Sequence, residues 1–184
     1  MSDSTEIRQL DPATAESLIP QLIDLLQDAV ATASLGFWDP IDDADAEAYW
    51  RGVIADVATG DRWLWVVFQH GVVIGSVQLA PASKQNAPHR AEVQKLMVHR
   101  SARRLGLGRQ LMQAMEQVAR AKRKTLLFLD TNTGSDADSF YRALGYTEVG
   151  SIPRYTINRD GSEHATTIFY KWLGGEPGEM ERSR

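Results

Sequence analysis

Residues 92–109 hold the groups in this chain that could most readily bind and transform a ligand. A strand-like run at 92–98 leads into two arginines and then into two glycines, Gly106 and Gly108, that open an amphipathic helix. The first amides of a helix have no intrahelical acceptor, and they share the positive end of the helix dipole. Beside arginines, such amides favour a diphosphate, so the pattern predicts a site for a nucleotide-like cofactor.

The glycine turn differs from two common phosphate-binding motifs. It is not a P-loop, because no Gly-Lys-Ser/Thr follows it. Leu111 stands where the third small residue of the dinucleotide fingerprint would fall. Glycines that only cap a helix or close a loop are the alternative. For Arg103, Arg104 and Arg109 the alternative to phosphate contact is solvated surface charge.

Two carboxylates lie where strands are expected. Glu92 has apolar neighbours in its run, and Asp130 ends the apolar run 126–129. If the two strands are parallel, both side chains can reach one cleft of the sheet. An amine nucleophile must lose a proton, which a positioned carboxylate can accept directly or through a water molecule. The alternatives are an ion pair of Glu92 with a lysine or arginine, and a loop-capping role for Asp130.

The composition argues against several other functions. The 184 residues carry a net charge of −4, which disfavours nucleic acid as a partner, while the basic residues at 99–109 favour a small anion. The chain has no cysteine and no close histidine spacing, so neither disulfides nor a metal site are expected. The N-terminus does not resemble a signal peptide, and no apolar run approaches ~20 residues. We therefore expect a cytoplasmic protein without a membrane partner.

Hydrophobic periodicity predicts the elements that position these groups. One domain is expected at 1–173, followed by a polar tail at 174–184 that is expected to be disordered. The order β-α-α-β-β-β-α-β-α-β-β is of the α/β (α+β) class, with at least one parallel pair in a mostly antiparallel sheet. Strands are predicted at 5–10, 63–69, 72–80, 91–98, 125–130, 146–149 and 166–173, and helices at 12–33, 45–58, 107–122 and 135–144.

Some residues carry finer expectations. Pro20 is expected to break or kink the first helix. Glu116 is assigned to the outer face of the helix at 107–122. The apolar run 126–129 is typical of a strand buried on both faces. Ser135 is expected to cap the last helix, and Arg154 is placed in a late loop.

Two motifs together resemble a known family. They are Arg103-x-x-Gly106-x-Gly108 after Leu96-x-Val98, and Phe140-Tyr141-x-x-Leu144-Gly145-Tyr146 some forty residues later. This pattern resembles the GNAT N-acetyltransferases, and the order of elements matches over nearly the whole chain. The resemblance implies the GNAT fold, a mixed central sheet of six to seven strands with a central parallel pair and about four helices. The stretches 90–98, 106–112 and 129–131 are also similar to the tabtoxin-resistance branch, which acetylates a β-lactam amino-acid toxin.

The resemblance also implies a cofactor and the residues that bind it. The pantetheine arm of acetyl-CoA would extend along Leu96, Met97 and Val98, and the Val98 N–H would polarise the thioester carbonyl. An N–H fixed near a developing oxyanion stabilises it without reorganisation. The diphosphate would lie on the amides of Arg103, Arg104, Leu105, Gly106, Leu107, Gly108 and Arg109.

Catalytic roles follow from the same resemblance. Tyr141 would protonate the departing thiolate, with core packing as the alternative, and the tabtoxin-resistance branch points to Glu92 and Asp130 as its carboxylates. The family often has asparagine seven residues before that tyrosine, where this chain has Gly134. Asn132 or Ser139 could replace that contact. The aromatic residues expected in the substrate wall are Phe37, Trp38 and Trp50, although such residues also pack in cores.

The sequence therefore predicts an enzyme that transfers the acetyl group of acetyl-CoA to a small amine, which the resemblance makes amino-acid-like. With no cysteine, an acetyl-cysteine relay is excluded, so attack would be direct within a ternary complex. A non-catalytic acyl-CoA sensor and a protein N-terminal or lysine acetyltransferase are the alternatives. A homodimer paired through the C-terminal strands is also compatible with the sequence.

Overall fold

The computed structural model describes residues 5–33 and 35–174. Of the tail predicted at 174–184, residues 175–184 lie outside the described residues. The described chain follows the predicted order of elements, with two helices where one was predicted at 12–33. The strands are β1 Thr5–Gln9, β2 Trp63–Gln69, β3 Val72–Pro81, β4 Arg90–Val98, β5 Leu126–Asn132, β6 Thr147–Ile157 and β7 Glu163–Trp172. The helices are α1 Pro12–Ser17, α2 Ile19–Val30, α3 Asp43–Thr59, α4 Leu107–Ala121 and α5 Asp136–Ala143.

The break between α1 and α2 falls where Pro20 predicts it. The Asp11 carboxylate caps α1 by accepting the Thr14 amide at 2.9 Å. Leu18 then leaves the helical conformation with ψ near 2°. Pro20 occupies the first turn of α2, where its missing N–H is not needed because amides there have no intrahelical acceptor.

The seven strands form a sheet in the order β1-β2-β3-β4-β5-β7-β6. Strand β4 pairs with β5 in parallel, whereas the β1–β2, β2–β3, β5–β7 and β6–β7 pairs are antiparallel. The predicted mixed sheet with a parallel pair is confirmed. The parallel register runs from Arg90 opposite Leu126 to Glu92 opposite Phe128, although each strand continues beyond it.

The chain divides into two compact units, and the prediction of one domain at 1–173 stays a prediction. The first unit holds the residues up to Ala80 together with Gln94–Met115. Its core lies among α2, α3 and β2, with Leu22, Trp50 and Leu64 fully buried. The β2–β3 hairpin turns at His70 and Gly71, which have φ of 51° and 79° as a type I′ turn requires.

The second unit holds Pro81–Val93 and the residues from Glu116 onward. Leu127, Leu129 and Phe169 are buried on one face of its strands, whereas Phe128 on the other face is only half-buried. The expectation that the run at 126–129 is buried on both faces is therefore wrong. The guanidinium of Arg90 lies 5.7 Å from the centre of the Phe128 ring and covers it only in part.

Glu116 is buried, in contrast to its predicted place on the outer face of α4. It lies one turn from Met112 and from Ala119, both buried, so its position belongs to the inner stripe of the helix. Both carboxylate oxygens accept hydrogen bonds from Lys171 Nζ at 2.9 Å, and the Tyr146 hydroxyl donates to one of them at 3.3 Å. Burial and the negative charge of Glu116 raise the pKa of Tyr146.

Strand β6 extends through a segment that was predicted to be a loop. Arg154 lies within β6 with φ of 56°, and the register with β7 shifts between Ile152 and Thr156. A bulge of this kind allows a strand to include a residue that cannot take part in the inter-strand hydrogen bonds. Pro153 is such a residue, because it has no amide N–H to donate. The assignment of Arg154 to a loop is therefore wrong.

We expect the Glu116→Leu substitution to lower the free energy of unfolding by about 3 kcal/mol, because it leaves the half-buried Lys171 ammonium without its counter-charge. The Glu116→Leu/Lys171→Met pair should recover most of that loss, since it replaces both ions by apolar groups. Urea unfolding of the two variants measures the difference. Equal losses in the single and double variants would contradict a mutually compensating ion pair.

Candidate functional site

The end of β4 approaches β3 closely. A Cβ atom placed on Gly75 of β3 would lie 2.9 Å from the Met97 carbonyl oxygen and 2.9 Å from Val67, so only glycine fits there. The His99 amide donates to the Ile74 carbonyl at 2.9 Å just beyond the strand. Within β4, Lys95 adopts a left-handed conformation with φ of 48°, which interrupts the regular alternation of side chains before Leu96.

The turn between β4 and α4 presents its backbone to solvent. After a single 3₁₀ turn at Arg100–Ala102, Arg104 and Gly106 have φ of 63° and 78°. Such left-handed residues orient successive amides toward one side, as in anion-binding nests. A Cβ placed on Gly106 would meet no atom within 4 Å, so the conformation selects glycine and the space above it is open. These features fit a diphosphate bound by main-chain amides.

The Asp28 side chain of α2 and the Thr32 side chain just beyond that helix hold this turn in place, and the sequence prediction missed both. The buried carboxylate of Asp28 accepts the Arg100 amide at 2.9 Å and also binds the Arg100 guanidinium. Arg103 donates to the Val98 carbonyl at 3.1 Å and to the Thr32 hydroxyl. The sequence did contain a signal for Asp28, because it is an acidic residue on the buried stripe of an amphipathic helix. A buried carboxylate requires a hydrogen-bond or charge partner.

Arg103 therefore has contacts within the protein as well as its predicted role. Its phosphate contact stays a prediction, as do those of Arg104 and Arg109, whose side chains are exposed. Leu105 is also exposed, with 59% of its surface accessible, whereas Leu107 is buried and faces the core at the start of α4. Only the backbone of Leu107 is thus available to a ligand.

In the second unit, Glu92 and Asp130 lie on the same face of the sheet. Glu92 is opposite Phe128 in the parallel register, and Asp130 follows Phe128 by two residues, so the three side chains leave on one side. The Thr166 hydroxyl donates to Asp130 at 2.8 Å. No hydrogen bond or ion pair to the Glu92 carboxylate is found among residues 5–33 and 35–174. The alternative ion pair of Glu92 is thus not observed there.

Tyr141 lies beneath the opposite face of these strands. Its ring centre is 6.2 Å from that of Phe169 and 5.6 Å from that of Tyr146. Burial raises the pKa of Tyr141, and the negative charge of Asp130 raises it further. The phenol therefore keeps its proton at neutral and moderately alkaline pH. Its assignment as general acid stays a prediction.

The start of α5 explains one departure from the family pattern. Gly134 has φ of 73°, and its amide donates to Asp138 at 3.0 Å, which lowers the pKa of that carboxyl together with Arg142. Ser135 caps the helix by accepting the Asp138 amide at 3.2 Å, as predicted. The Gly134 amide is thus already bonded within the protein. Ser139 is exposed and Asn132 half-buried, and their contact with a cofactor stays a prediction.

The aromatic residues predicted for the substrate wall separate into surface and core. Trp38 is 58% exposed, Phe37 is half-buried, and Trp50 is fully buried. Phe37 packs edge-on against Tyr49 with ring centres 5.2 Å apart, and Tyr49 packs against Trp50 at the same distance. Trp50 therefore supports Tyr49 from below, because a fully enclosed ring cannot touch a substrate in this conformation.

In the ranges 5–33 and 35–174, no three His, Asp or Glu side chains lie close enough to hold a metal ion. None of the helices in those ranges is long and apolar enough to cross a membrane.

We expect Asp28→Asn to weaken binding of coenzyme A about tenfold, because an amide cannot accept from both donors of Arg100 and the turn loses a charged hydrogen bond. Titration calorimetry measures the affinity. Asp24→Asn, on the exposed side of the same helix, is the matched control and should bind as the unaltered protein does. An Asp28→Asn protein with lowered stability and unchanged affinity would contradict the positioning role.

Comparison with known proteins identifies the family. Residues 21–146 match the model of the acetyltransferase (GNAT) family. An uncharacterized N-acetyltransferase encoded in the hisH-hisA intergenic region of Azospirillum brasilense is 36% identical over 112 residues, which are 59% of this chain. That match spans 65% of the relative's own length.

Solved structures share the fold. An N-acetyltransferase from Staphylococcus aureus Mu50 superposes with a TM-score of 0.77 at 15% identity, over 93% of this chain and 99% of that one. The yncA protein of Salmonella typhimurium, solved with its cofactor acetyl-CoA, gives a TM-score of 0.72 at 21% identity, over 94% and 96% of the two chains. The narrower resemblance to tabtoxin-resistance enzymes stays a prediction. The matched segment covers more than half of the sequence, and the chain belongs to the GNAT family of acetyltransferases.

Proposed function

We propose that this protein transfers the acetyl group of acetyl-CoA to the amine of a small, amino-acid-like molecule by direct attack in a ternary complex. The observation that carries the proposal is the exposed turn at 103–106, where left-handed residues lead into the free amides of α4. Family membership supports the acetyl donor, and the absence of cysteine supports direct attack.

The donor would be held by backbone rather than by side chains. The amides from Arg103 to Arg109 would bind its diphosphate, and Leu96–Val98 would lie along its pantetheine arm. Acetyl-CoA supplies the activated acyl group. The Val98 N–H would donate to the oxygen that becomes negative during attack, and the contact of Arg103 with the Val98 carbonyl would keep that peptide in place.

The two carboxylates would have different roles toward the amine, one as a base and one as a binding group. Glu92 is half-buried, and no protein group in the described chain neutralises it, so it would take a proton from the substrate ammonium and leave the free amine to attack the thioester. Asp130 is exposed and has one oxygen fixed by Thr166, so it would anchor the positive amine before attack. Both lie on one face of the sheet in their unit.

The phenol of Tyr141 would supply a proton to the leaving thiolate. Its burial and the nearby charge of Asp130 favour the protonated form, which is the form a general acid needs. Tyr141 packs against Phe169, under the face of these strands that is opposite to Glu92.

A direct test incubates the full chain with acetyl-CoA and a panel of small amines, and detects acetylated products by mass spectrometry. The proposal predicts an N-acetylated product that requires both the protein and acetyl-CoA. Tight binding of coenzyme A without any product would instead identify an acyl-CoA sensor. Acetylation of peptides but of no small amine would identify a protein acetyltransferase.

We expect Glu92→Gln to lower kcat about 100-fold with little change in the KM for acetyl-CoA, because the amide keeps the shape but cannot take a proton. Asp130→Asn should chiefly raise the KM for the amine, since it removes the charge that anchors the ammonium. Steady-state kinetics separate the two effects. If both variants turn over as the unaltered protein does, the assigned roles are wrong.

We expect Tyr141→Phe to lower kcat about 100-fold while the protein stays folded, because only the proton donor is lost. Since the pKa of Tyr141 is raised, kcat of the unaltered protein should not fall between about pH 8 and pH 10 through loss of that proton. Tyr146→Phe, in the same aromatic cluster, serves as the control. A Tyr141→Phe protein as slow as the Tyr146→Phe protein would reduce the effect to packing.

A further inference from the structure

An arginine at the start of β4 has unsatisfied donors, and the catalytic proposal does not use it. Arg90 belongs to the second unit and is half-buried; its Nε atom is enclosed without a hydrogen bond, whereas its two terminal nitrogens reach solvent. Within residues 5–33 and 35–174 the guanidinium forms no hydrogen bond or ion pair, and it contacts the Phe128 ring at 5.7 Å. Because a guanidinium has only donors, this group is suited to an anion.

Arg90 shares one face of the sheet with the two carboxylates of the proposed site. Arg90 lies opposite Leu126 in the parallel register, and Glu92 lies opposite Phe128. Side chains two residues apart in a strand leave on the same side, so Asp130 of β5 is on that face too. All of these residues belong to the second unit, so their arrangement follows from the pairing of β4 with β5 alone.

The helical segments described in the second unit lie on the opposite face of its strands. Tyr141 of α5 packs against Phe169 of β7. Glu116 of α4 binds Lys171, which leaves β7 on the same side as Phe169. Tyr170 lies between these two residues, leaves on the face that carries the charged groups, and is 39% exposed. Within this unit no described helix covers that face, so a small molecule could lie along it.

The charges on this face follow a fixed order. The positive group stands at the start of β4, and Glu92 follows it by two residues, which is about 6.6 Å along a strand. Asp130 lies one further step in the same direction on β5, and its hydrogen-bond donor, the Thr166 hydroxyl, is neutral. Opposite charges attract one another strongly in a partly enclosed site. The face therefore favours a molecule in which a carboxylate and an ammonium are close neighbours.

We infer that Arg90 binds the carboxylate of the acceptor molecule, whose amine lies beside Glu92 and Asp130. A guanidinium presents paired N–H donors that match the two oxygens of a carboxylate. In an α-amino acid one carbon atom separates the ammonium from the carboxylate, so a molecule of this class fits both ends of the face. The inference rests on the proposed acetyl transfer and names the residue that recognises the acid group of its substrate.

The test measures kcat/KM for each standard amino acid and for its carboxamide, which has nearly the same shape without the negative charge. The unaltered protein should prefer at least one amino acid over its amide. Arg90→Met keeps an apolar stem against Phe128 but loses the charge and the donors. It should lower kcat/KM for that amino acid at least about tenfold, through KM, and leave the amide and the KM for acetyl-CoA nearly unchanged. Arg123→Met removes the same charge from an exposed position of the same unit and should change neither substrate.

A second variant keeps the positive charge. Arg90→Lys has an ammonium in place of the planar fork, so it should show a smaller loss of kcat/KM that is again confined to the amino acid. This variant provides the test if the Arg90→Met protein does not fold.

Two patterns of activity would contradict the role of Arg90. Amides acetylated as efficiently as every amino acid would show that no carboxylate is recognised, while acetyl transfer itself would stand. Equal losses of kcat/KM for an amino acid and its amide in the Arg90 variants would reduce Arg90 to a structural residue. An unaltered protein that acetylates no amine would overturn the proposed function and this inference with it.

Discussion

The parallel pairing of β4 with β5 is the constraint on which the rest of the structure depends. Two parallel neighbours cannot be joined by a hairpin, so the chain must leave β4, cross over, and return at the other end of β5. Helix α4 makes that crossing, and its first turn follows the strand after the short connection at 99–106. A helix N-terminus with free amides at the end of β4 is thus a consequence of topology. The positive φ values at Arg104 and Gly106 make the change of direction possible in a few residues.

Buried polar groups set the finer geometry. Asp28 connects α2 to the backbone of the turn, Glu116 connects α4 to β7, and Arg62 connects α3 to β3 and β4. Each of these groups would destabilise the fold if it stood alone in the interior. Each group has hydrogen-bond partners with suitable geometry, so it stabilises one relative arrangement of the elements that it connects. Hydrophobic packing is less directional and would by itself allow those elements to shift. The residues proposed to bind ligands are attached to elements fixed in this way.

Local pattern was sufficient to predict most of the elements and the glycine-containing turn between β4 and α4. The Ser135 cap and the Pro20 break depend on neighbouring residues, and the structure has them where the sequence predicts. The glycine spacing at 106 and 108 could be interpreted for the same reason, because strand, turn and helix are contiguous there. The parallel pair could be predicted because a single helix is expected between two neighbouring strands, and such a connection joins parallel strands.

Partners distant in sequence could not be predicted in this way. Glu116 was assigned to the surface because it is charged, although its spacing places it on the buried stripe of α4. The partner that allows its burial, Lys171, is 55 residues away in the sequence. Asp28 and Arg100 are separated by 72 residues, and Thr166 reaches Asp130 from another strand. Trp50 was predicted to contact substrate although it is core, since periodicity alone does not tell which aromatic residue of a stripe is enclosed.

The central claim is that main-chain amides of the turn after β4 bind the diphosphate of the acetyl donor. Calorimetric titration of the full chain with coenzyme A, repeated on Gly106→Val, tests it most directly, because a β-branched residue at φ of 78° must distort those amides. The account predicts saturable binding to the unaltered protein, displacement by ADP but not by adenosine, and at least about tenfold weaker binding to the variant, which corresponds to about 1.4 kcal/mol. Absence of coenzyme A binding, or equal affinity in a folded Gly106→Val protein, would contradict it.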